Sequence, residues 1–135
     1  MGKLQDFLMN NDVLAEVQTE VSIKPFPFPF VIKSITEAEN KEIRKSCQKV
    51  TFNKRTHQKD VETDADLYAN RLLISCCVEP NFKDAALQKK FGVLGAEALI
   101  DKLFNPGQYA ELVQRVQQLN GFETDINELV EEAKN

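Results

Sequence analysis

The chain has few of the side chains that chemistry at a protein site usually requires. Its one histidine is His57, and its three cysteines are Cys47, Cys76 and Cys77. The last half, from Asp66 to Asn135, has no histidine, no Ser or Cys beside a base, and no glycine loop to cradle a phosphate. That absence excludes the usual nucleophile–base pair and the usual nucleotide cradle. A structural zinc site needs four converging ligands, and those four side chains are the whole supply of thiol and imidazole. No catalytic residue, metal or cofactor is therefore expected. An odd cysteine count, with Cys76 and Cys77 pointing about 100° apart on a helix, predicts reduced and mostly buried thiols rather than a disulfide frame. No long apolar run opens the chain: Met1-Gly2-Lys3-Leu4-Gln5-Asp6-Phe7 carries an acid and fits neither a secretory signal nor a membrane span. The expectation is a protein that stays in the cytosol where it is made.

What is present is ordinary for a globular chain. Of 135 residues, 42% are hydrophobic and 28% charged, too apolar for a disordered segment. The formal net charge of −4 is unevenly spread. Lys33 to Lys59 holds 8 basic and 3 acidic residues, whereas Asp101 to Asn135 holds 3 basic and 7 acidic. Such a gradient can orient partners, and solvated surfaces of this size also produce it by chance. Phe52 is the one aromatic residue within the basic stretch after Lys33, and the whole chain is acidic, so nucleic acid is not an expected partner.

Along the chain, Leu4, Phe7 and Leu8 share a face of a short helix that Asn10-Asn11-Asp12 ends. Val13, Ala15, Val17, Thr19, Val21 and Ile23 then occupy alternate positions, the pattern of a half-buried strand. Pro25, Pro27 and Pro29 interleave with Phe26, Phe28 and Phe30. In an extended chain the prolines would strip one edge of its N–H donors, and the phenylalanines would line one face, as a core wall or an exposed ridge. Core is the commoner use. Thr36-Glu37-Ala38-Glu39 reads as a capping box opening a helix to about Cys47, with Ile35, Ile43 and Cys47 inward. Val50-Thr51-Phe52 follows, and Val61 can continue the pairing. Between them residues 53–60 hold no apolar side chain, which predicts a mobile hairpin tip or disordered loop around a solvated His57.

The second half reads as successive short helices. Thr63 or Asp64 caps a central one with Ala65, Ala69, Leu72, Leu73, Cys76 and Cys77 inward. A shorter helix after Pro80 carries Leu87 and Phe91, with Gly92 and Gly95 bracketing a turn. Ala96, Leu99, Ile100, Leu103 and Phe104 mark the next. Asn105 is placed to cap the cleanest amphipathic helix, with Tyr109, Leu112, Val113, Val116 and Leu119 on one face. Phe122, Ile126, Leu129, Val130 and Ala133 predict a last helix with an acidic outer face. The fold class expected is α+β and predominantly α-helical: a small antiparallel sheet packed on a cluster of about five short helices. One domain over residues 1–135 is expected, with a strand-containing part at 1–62 and a helical part at 63–135.

The order of pieces resembles one family. Cys76-Cys77-Val78-Glu79-Pro80-Asn81-Phe82-Lys83-Asp84, then Leu87-Gln88, Phe91-Gly92-Val93, Gly107-Gln108-Tyr109 with Leu112, Asn120-Gly121-Phe122 and the ending Glu128-Leu129-Val130-Glu131-Glu132-Ala133-Lys134-Asn135 are similar to the XkdN-like tail assembly chaperones of phages and prophage elements. Upstream, Phe30-Val31-Ile32-Lys33, Thr36-Glu37 and Ile43-Arg44-Lys45-Ser46-Cys47 fit the same pattern. One departure is that the family pattern has Gly-Glu-Tyr where this chain has Gly107-Gln108-Tyr109, preceded by Pro106.

The resemblance implies a non-enzymatic protein in the cytoplasm of the bacterial host. It would bind the long, hydrophobic, helix-rich tape measure protein while tail tube subunits assemble around it, and be absent from the finished tail. The tail tube protein and further copies of the chain are the other partners implied, with no nucleic acid and no membrane. A structural component retained in the tail would share the same small helical build. A client-binding face is expected from Phe26, Phe28 and Phe30 together with Tyr109, Leu112, Val116, Leu129 and Val130 of the two last helices, where apolar grooves between short helices can receive a partner helix.

Overall fold

Two strands from the first half and one from the second make the sheet on which the helices pack. In the computed structural model, which describes residues 2–12 and 16–122, β1 (Gln18–Val21), β2 (Phe30–Lys33) and β5 (Cys77–Glu79) form an antiparallel sheet in the order β1-β2-β5. Val21 stands opposite Phe30 and Thr19 opposite Ile32. Val21, Ile23, Phe30 and Ile32 are all buried, so the valine face read from the alternation is the core face. Val13 and Ala15 lie outside the described residues, and Val17 is exposed. Ser34 clasps the start of β1: its amide donates to the Val17 carbonyl at 2.8 Å and its hydroxyl accepts from the Val17 amide at 3.0 Å.

Between these two strands the proline–phenylalanine segment does not run as an extended ladder. The chain turns at Lys24 and Pro25, with the Phe26 amide donating to the Ile23 carbonyl at 2.9 Å, and residues 22–29 connect β1 to β2. The phenylalanines therefore do not line up along one face of a strand but sit at different depths. Phe30 is core, Phe26 packs partly buried against it, and Phe28 is 79% exposed.

The helices begin where local chemistry satisfies their free amides. Thr36 and Glu39 close a full capping box on α2 (Glu37–Ser46). Asp64 caps α3 (Ala65–Cys76), accepting from the Leu67 amide at 3.2 Å. That bond, before any ion pair, holds its carboxyl below the usual range. Asp84 caps α4 (Ala85–Lys90), and Asn105 with Gln108 builds a second capping box on α6 (Pro106–Leu119), with Pro106 at its first position. Gly95, at φ +100°, opens α5 (Ala96–Leu103) in a backbone conformation that favours glycine. The N-terminal α1 (Lys3–Asn10) buries none of its residues, so Leu4, Phe7 and Leu8 face solvent.

Helix α3 is central, as the stripe of apolar residues predicts, and touches α2, α5, α6 and β5. Leu72, Leu73 and Cys76 are buried on it, with Tyr68 donating its hydroxyl hydrogen to the Asn40 side chain of α2. Cys77 is not the last turn of this helix: the chain straightens there into β5, a three-residue strand pairing Cys77 with Ile32 and Glu79 with Val31. So short a strand, directly after a helical stripe, has no periodicity of its own to betray it.

The segment after α2 also differs from expectation. Residues 48–53 and 58–63 pair in full as β3 (Gln48–Asn53) and β4 (Gln58–Thr63), a separate two-stranded sheet, so the loop shrinks to residues 54–57. The His57 amide closes it on the Asn53 carbonyl at 2.9 Å, with His57 itself at φ +56°. The alternation that should mark β4 is masked because Lys59 stands where an apolar residue would, on the face shared with Val61.

Two amide side chains tie remote segments together. Asn120, just past α6, accepts from the Ile35 amide at 2.9 Å and donates to the Val116 carbonyl at 2.9 Å and to Cys76 Sγ at 3.6 Å. Gln108 accepts from the Asn105 amide at 2.9 Å and donates through Nε2 to the Lys24 carbonyl at 2.8 Å. A glutamate at that position could fill the first role but not the second, because an ionised carboxylate has no hydrogen to give. The glutamine thus anchors the loop that carries Phe28.

Three consequences can be measured. Replacing Asn120 with Ala leaves the Ile35 amide without its partner and should cost about 1–3 kcal/mol of unfolding free energy in a urea titration. Gln108→Glu should cost about 1 kcal/mol while leaving helix content unchanged, since the cap survives and the tie to Lys24 does not. Burial pushes the Cys76 thiol up to about 11 and the Cys77 thiol up to about 12. These groups hold their protons more tightly folded than unfolded, so their contribution is complete at neutral pH. It declines as pH rises above the ordinary thiol value of 9.0 and through about 11 and 12. A thiol-titrating reagent at pH 7 should leave Cys76 and Cys77 unmodified until denaturant is added.

Candidate functional site

The sheet, α4 and α5 enclose an apolar groove at the proline end of the β1–β2 connection. Its volume is about 250 Å³ and its walls are Phe26, Pro27, Phe28, Pro29 and Phe30 on one side and Pro80, Leu87, Phe91 and Leu103 on the other, with Glu79 as the charged lining residue. The pairing of Val31 with Glu79 places Pro80 beside Phe30. The cap at Asp84 starts α4 so that Leu87 and Phe91, four residues apart, fall on one face.

Beneath the groove lies a cluster of aromatic rings. Phe104 contacts Phe30 at 5.6 Å, Phe26 at 5.9 Å and Phe82 at 6.0 Å between centroids, and Phe26 meets Phe30 edge-on at 5.2 Å. Edge-to-face contacts at these separations are favourable beyond the area they bury. The floor is therefore packed ring on ring while its lip, Phe28, stands in solvent. The far wall is fixed by Gln88, which donates to the Phe82 carbonyl at 2.9 Å and accepts from the Gly95 amide at 3.0 Å.

The residues expected to form one client-binding face do not lie on one surface. Phe26, Phe28 and Phe30 come together in the groove, although Phe30 is itself core. Leu112 and Val116 are 0% and 1% exposed, so they face the interior of this fold and α6 offers no apolar surface through them. The stripe on α6 is amphipathic, and its inward side packs against α3. Tyr109 is half-buried, its hydroxyl donating to Asn70 at 3.4 Å, and burial followed by the charges of Asp101 and Asp66 raises its pKa. Leu129 and Val130 lie outside the described residues. Sequence reasoning missed Glu79, Pro80, Leu87, Phe91 and Leu103 as groove residues. The stripes mark Leu87, Phe91 and Leu103 as apolar, but only the placement of β5 shows which partner they face.

A second, more polar cleft of about 310 Å³ lies between α2 and the end of α6, lined by Ile35, Thr36, Glu37, Asn40, Arg44, Leu72, Asn120 and Phe122. Its hydroxyl, Thr36, is engaged in the α2 cap, donating to Glu39 at 3.1 Å. Three titratable side chains of the second half are engaged apart from one another: Tyr68 on Asn40, Arg71 on the Ser46 carbonyl at 2.6 Å and on Glu97 at 3.5 Å, and Glu79 at the apolar groove. Among the described residues no group of three or more His, Cys, Asp or Glu could hold a metal ion, and no helix is long and apolar enough to cross a membrane.

Known proteins share both the fold and the sequence pattern. The crystal structure of the protein YqbN superposes with a TM-score of 0.66 over 87% of this chain and 95% of that one, at 21% identity, which shows the same architecture. The phage-like element PBSX protein XkdN of Bacillus subtilis (strain 168) is 28% identical over 109 residues, covering 79% of this chain and 72% of the relative. The uncharacterized protein YqbN of the same organism matches at the same identity and coverage. The sequence pattern of the phage XkdN-like tail assembly chaperone proteins matches residues 4–134, nearly the whole chain, and the chain belongs to that family.

Proposed function

We propose that the chain serves tail assembly by holding the tape measure protein in solution until tube subunits surround it, and that it leaves before the tail is complete. The observation that carries this reading is the apolar groove whose lip, Phe28, is 79% exposed. A singly exposed apolar side chain is ordinary, but Phe28 is continuous with the apolar groove it borders, and a contiguous apolar surface of this kind is what a partner covers. The groove's shape and lining suit an amphipathic helix laid along it, apolar residues down and polar ones out. Strand addition to the loop is disfavoured, because Pro25, Pro27 and Pro29 have no N–H to donate. Glu79 at the edge favours a client helix with a basic residue beside its apolar stripe.

This reading asks for binding and release, not bond making, and the groove offers side chains suited to that. Affinity from a patch of this size comes from a few well-packed anchors, and the exposed phenylalanine is the type of residue that supplies one.

The test is to tag the chain in cells assembling the particle, recover it, and assay finished particles for it by mass spectrometry. Co-recovery of a very long helical protein together with absence from finished particles is expected. Phe28→Asp should lower that recovery about tenfold, a loss of ~1.4 kcal/mol in binding, while the melting temperature of the isolated domain stays unchanged. Retention in finished particles would make the chain a structural tail component, and recovery of no tape measure protein with the wild-type chain would refute the reading.

A further inference from the structure

The β3–β4 hairpin takes no part in the groove. Every residue of both strands is exposed, and among the described residues neither strand pairs outside the hairpin. It is rooted at its base, where the Asp64 amide donates to the Cys47 carbonyl at 2.8 Å and Lys49 meets Asp64 at 3.3 Å. One face carries Val50, Phe52 and Val61, exposed to 64%, 57% and 58%, with Val50 directly opposite Val61 and Phe52 opposite Lys59. A lone two-stranded hairpin is marginal in water, and an open edge beside an apolar face is a template for another strand.

We infer that this arm pairs with the arm of a second copy of the chain, β3 against β3 and antiparallel about a twofold axis, giving a four-stranded sheet with both apolar triads on one face. The choice of edge follows from charge. A twofold axis normal to the sheet that keeps the apolar side chains together allows a strand only those registers in which a residue opposes another of the same face. For β4, each such register pairing three or more residues sets like charges opposite one another: Lys59 on Lys59, Asp60 on Asp60, Asp60 on Glu62, or Glu62 on Glu62. Like charges directly opposite are destabilising. Strand β3 carries one charge, Lys49, and meets no such conflict in its two longest registers. Of these, the register with Thr51 opposite its counterpart sets Val50 against Phe52 twice and Lys49 against Asn53. The alternative sets Phe52 against Gln48. Aromatic–β-branched cross-strand pairs favour the first.

Geometry removes the remaining antiparallel choice. Laying β4 of a second copy along β3 would match Lys49 with Glu62, but both hairpins would then point the same way. Their bases would be only about 10 Å apart, two strand spacings. A body of about a hundred residues is roughly 30 Å across, so the two would collide. The β3–β3 pairing puts the bodies at opposite ends of the shared sheet. It is isologous and closes at two copies. It also leaves the groove beside Phe28 open.

Thr51 on the axis supplies the test. In sedimentation equilibrium across the micromolar range the wild-type chain should be a dimer. Thr51→Lys and Thr51→Glu, each placing like charges opposite themselves, should weaken the dimer about tenfold or more. Within its own hairpin Thr51 faces Asp60 and donates its hydroxyl hydrogen to the Asp60 carbonyl at 3.4 Å. Thr51→Glu should therefore lower the melting temperature slightly and Thr51→Lys, set against an acid, should not; both should keep the wild-type circular dichroism spectrum. Mixing the two variants one to one should restore the dimer, because lysine then faces glutamate. A wild-type monomer at every concentration would overturn the inference. So would a dimer indifferent to both substitutions, or two monomeric variants that do not rescue one another.

Discussion

The pairing of β5 with β2 is the joint on which the rest of the molecule depends. It is only three residues long, yet it stitches the helical half onto the strand half. Ile32, wholly buried, stands opposite Cys77, and through that contact α3 is brought against the sheet directly after its last turn. The same pairing carries Glu79 and Pro80 to the edge of Phe30 and so builds one wall of the groove against the other. Apolar burial supplies the driving force, but this short ladder sets which apolar faces meet.

Much of the framework was legible in the residues. The Thr36–Glu39 capping box, Asn105 as the cap of α6, a start of α3 at Thr63 or Asp64 and the stripes of α3, α5 and α6 are legible because caps and 3.6-residue periods are local signals, whereas the part Gln108 plays in the second box is not. What was hidden depends on distant partners. Cys77 to Glu79 is too short to show alternation, and Lys59 interrupts the alternation of β4. The proline segment was read as extended because proline and phenylalanine at alternate positions look like a strand, whereas the chain turns at Pro25 and spreads the three rings to different depths. The candidate site was half legible for the same reason. Phe26 and Phe28 do line the groove, but Leu112 and Val116 carry the same apolar periodicity whether a helix faces the core or a client, and here they face the core.

The two long-range amide ties show how a small fold is kept in register by few polar groups. Asn120 joins the end of α6 to the β2–α2 turn and to α3, and Gln108 joins the start of α6 to the loop after β1. Each makes use of both ends of a side-chain amide, donor and acceptor, which a carboxylate could not do. Helix α6 is thus held at both tips, and its buried face is aligned on α3 without a charge in the interior; among the described residues no charged or polar side chain is buried.

The loop bearing Phe28 has a further meaning. Its ends are fixed by the Val21–Phe30 pair and its middle by the bonds at Phe26 and Lys24, while Phe28 itself contributes almost nothing to the packed interior. The side chain at the lip and those that hold the loop in place are therefore different residues. A lineage could exchange the side chain at position 28, or its proline neighbours at the rim, as its partner changed, without risking the fold that presents them. Sequence drift at this lip, set against constancy of the ring cluster below, is what co-evolution with a changing partner would leave behind.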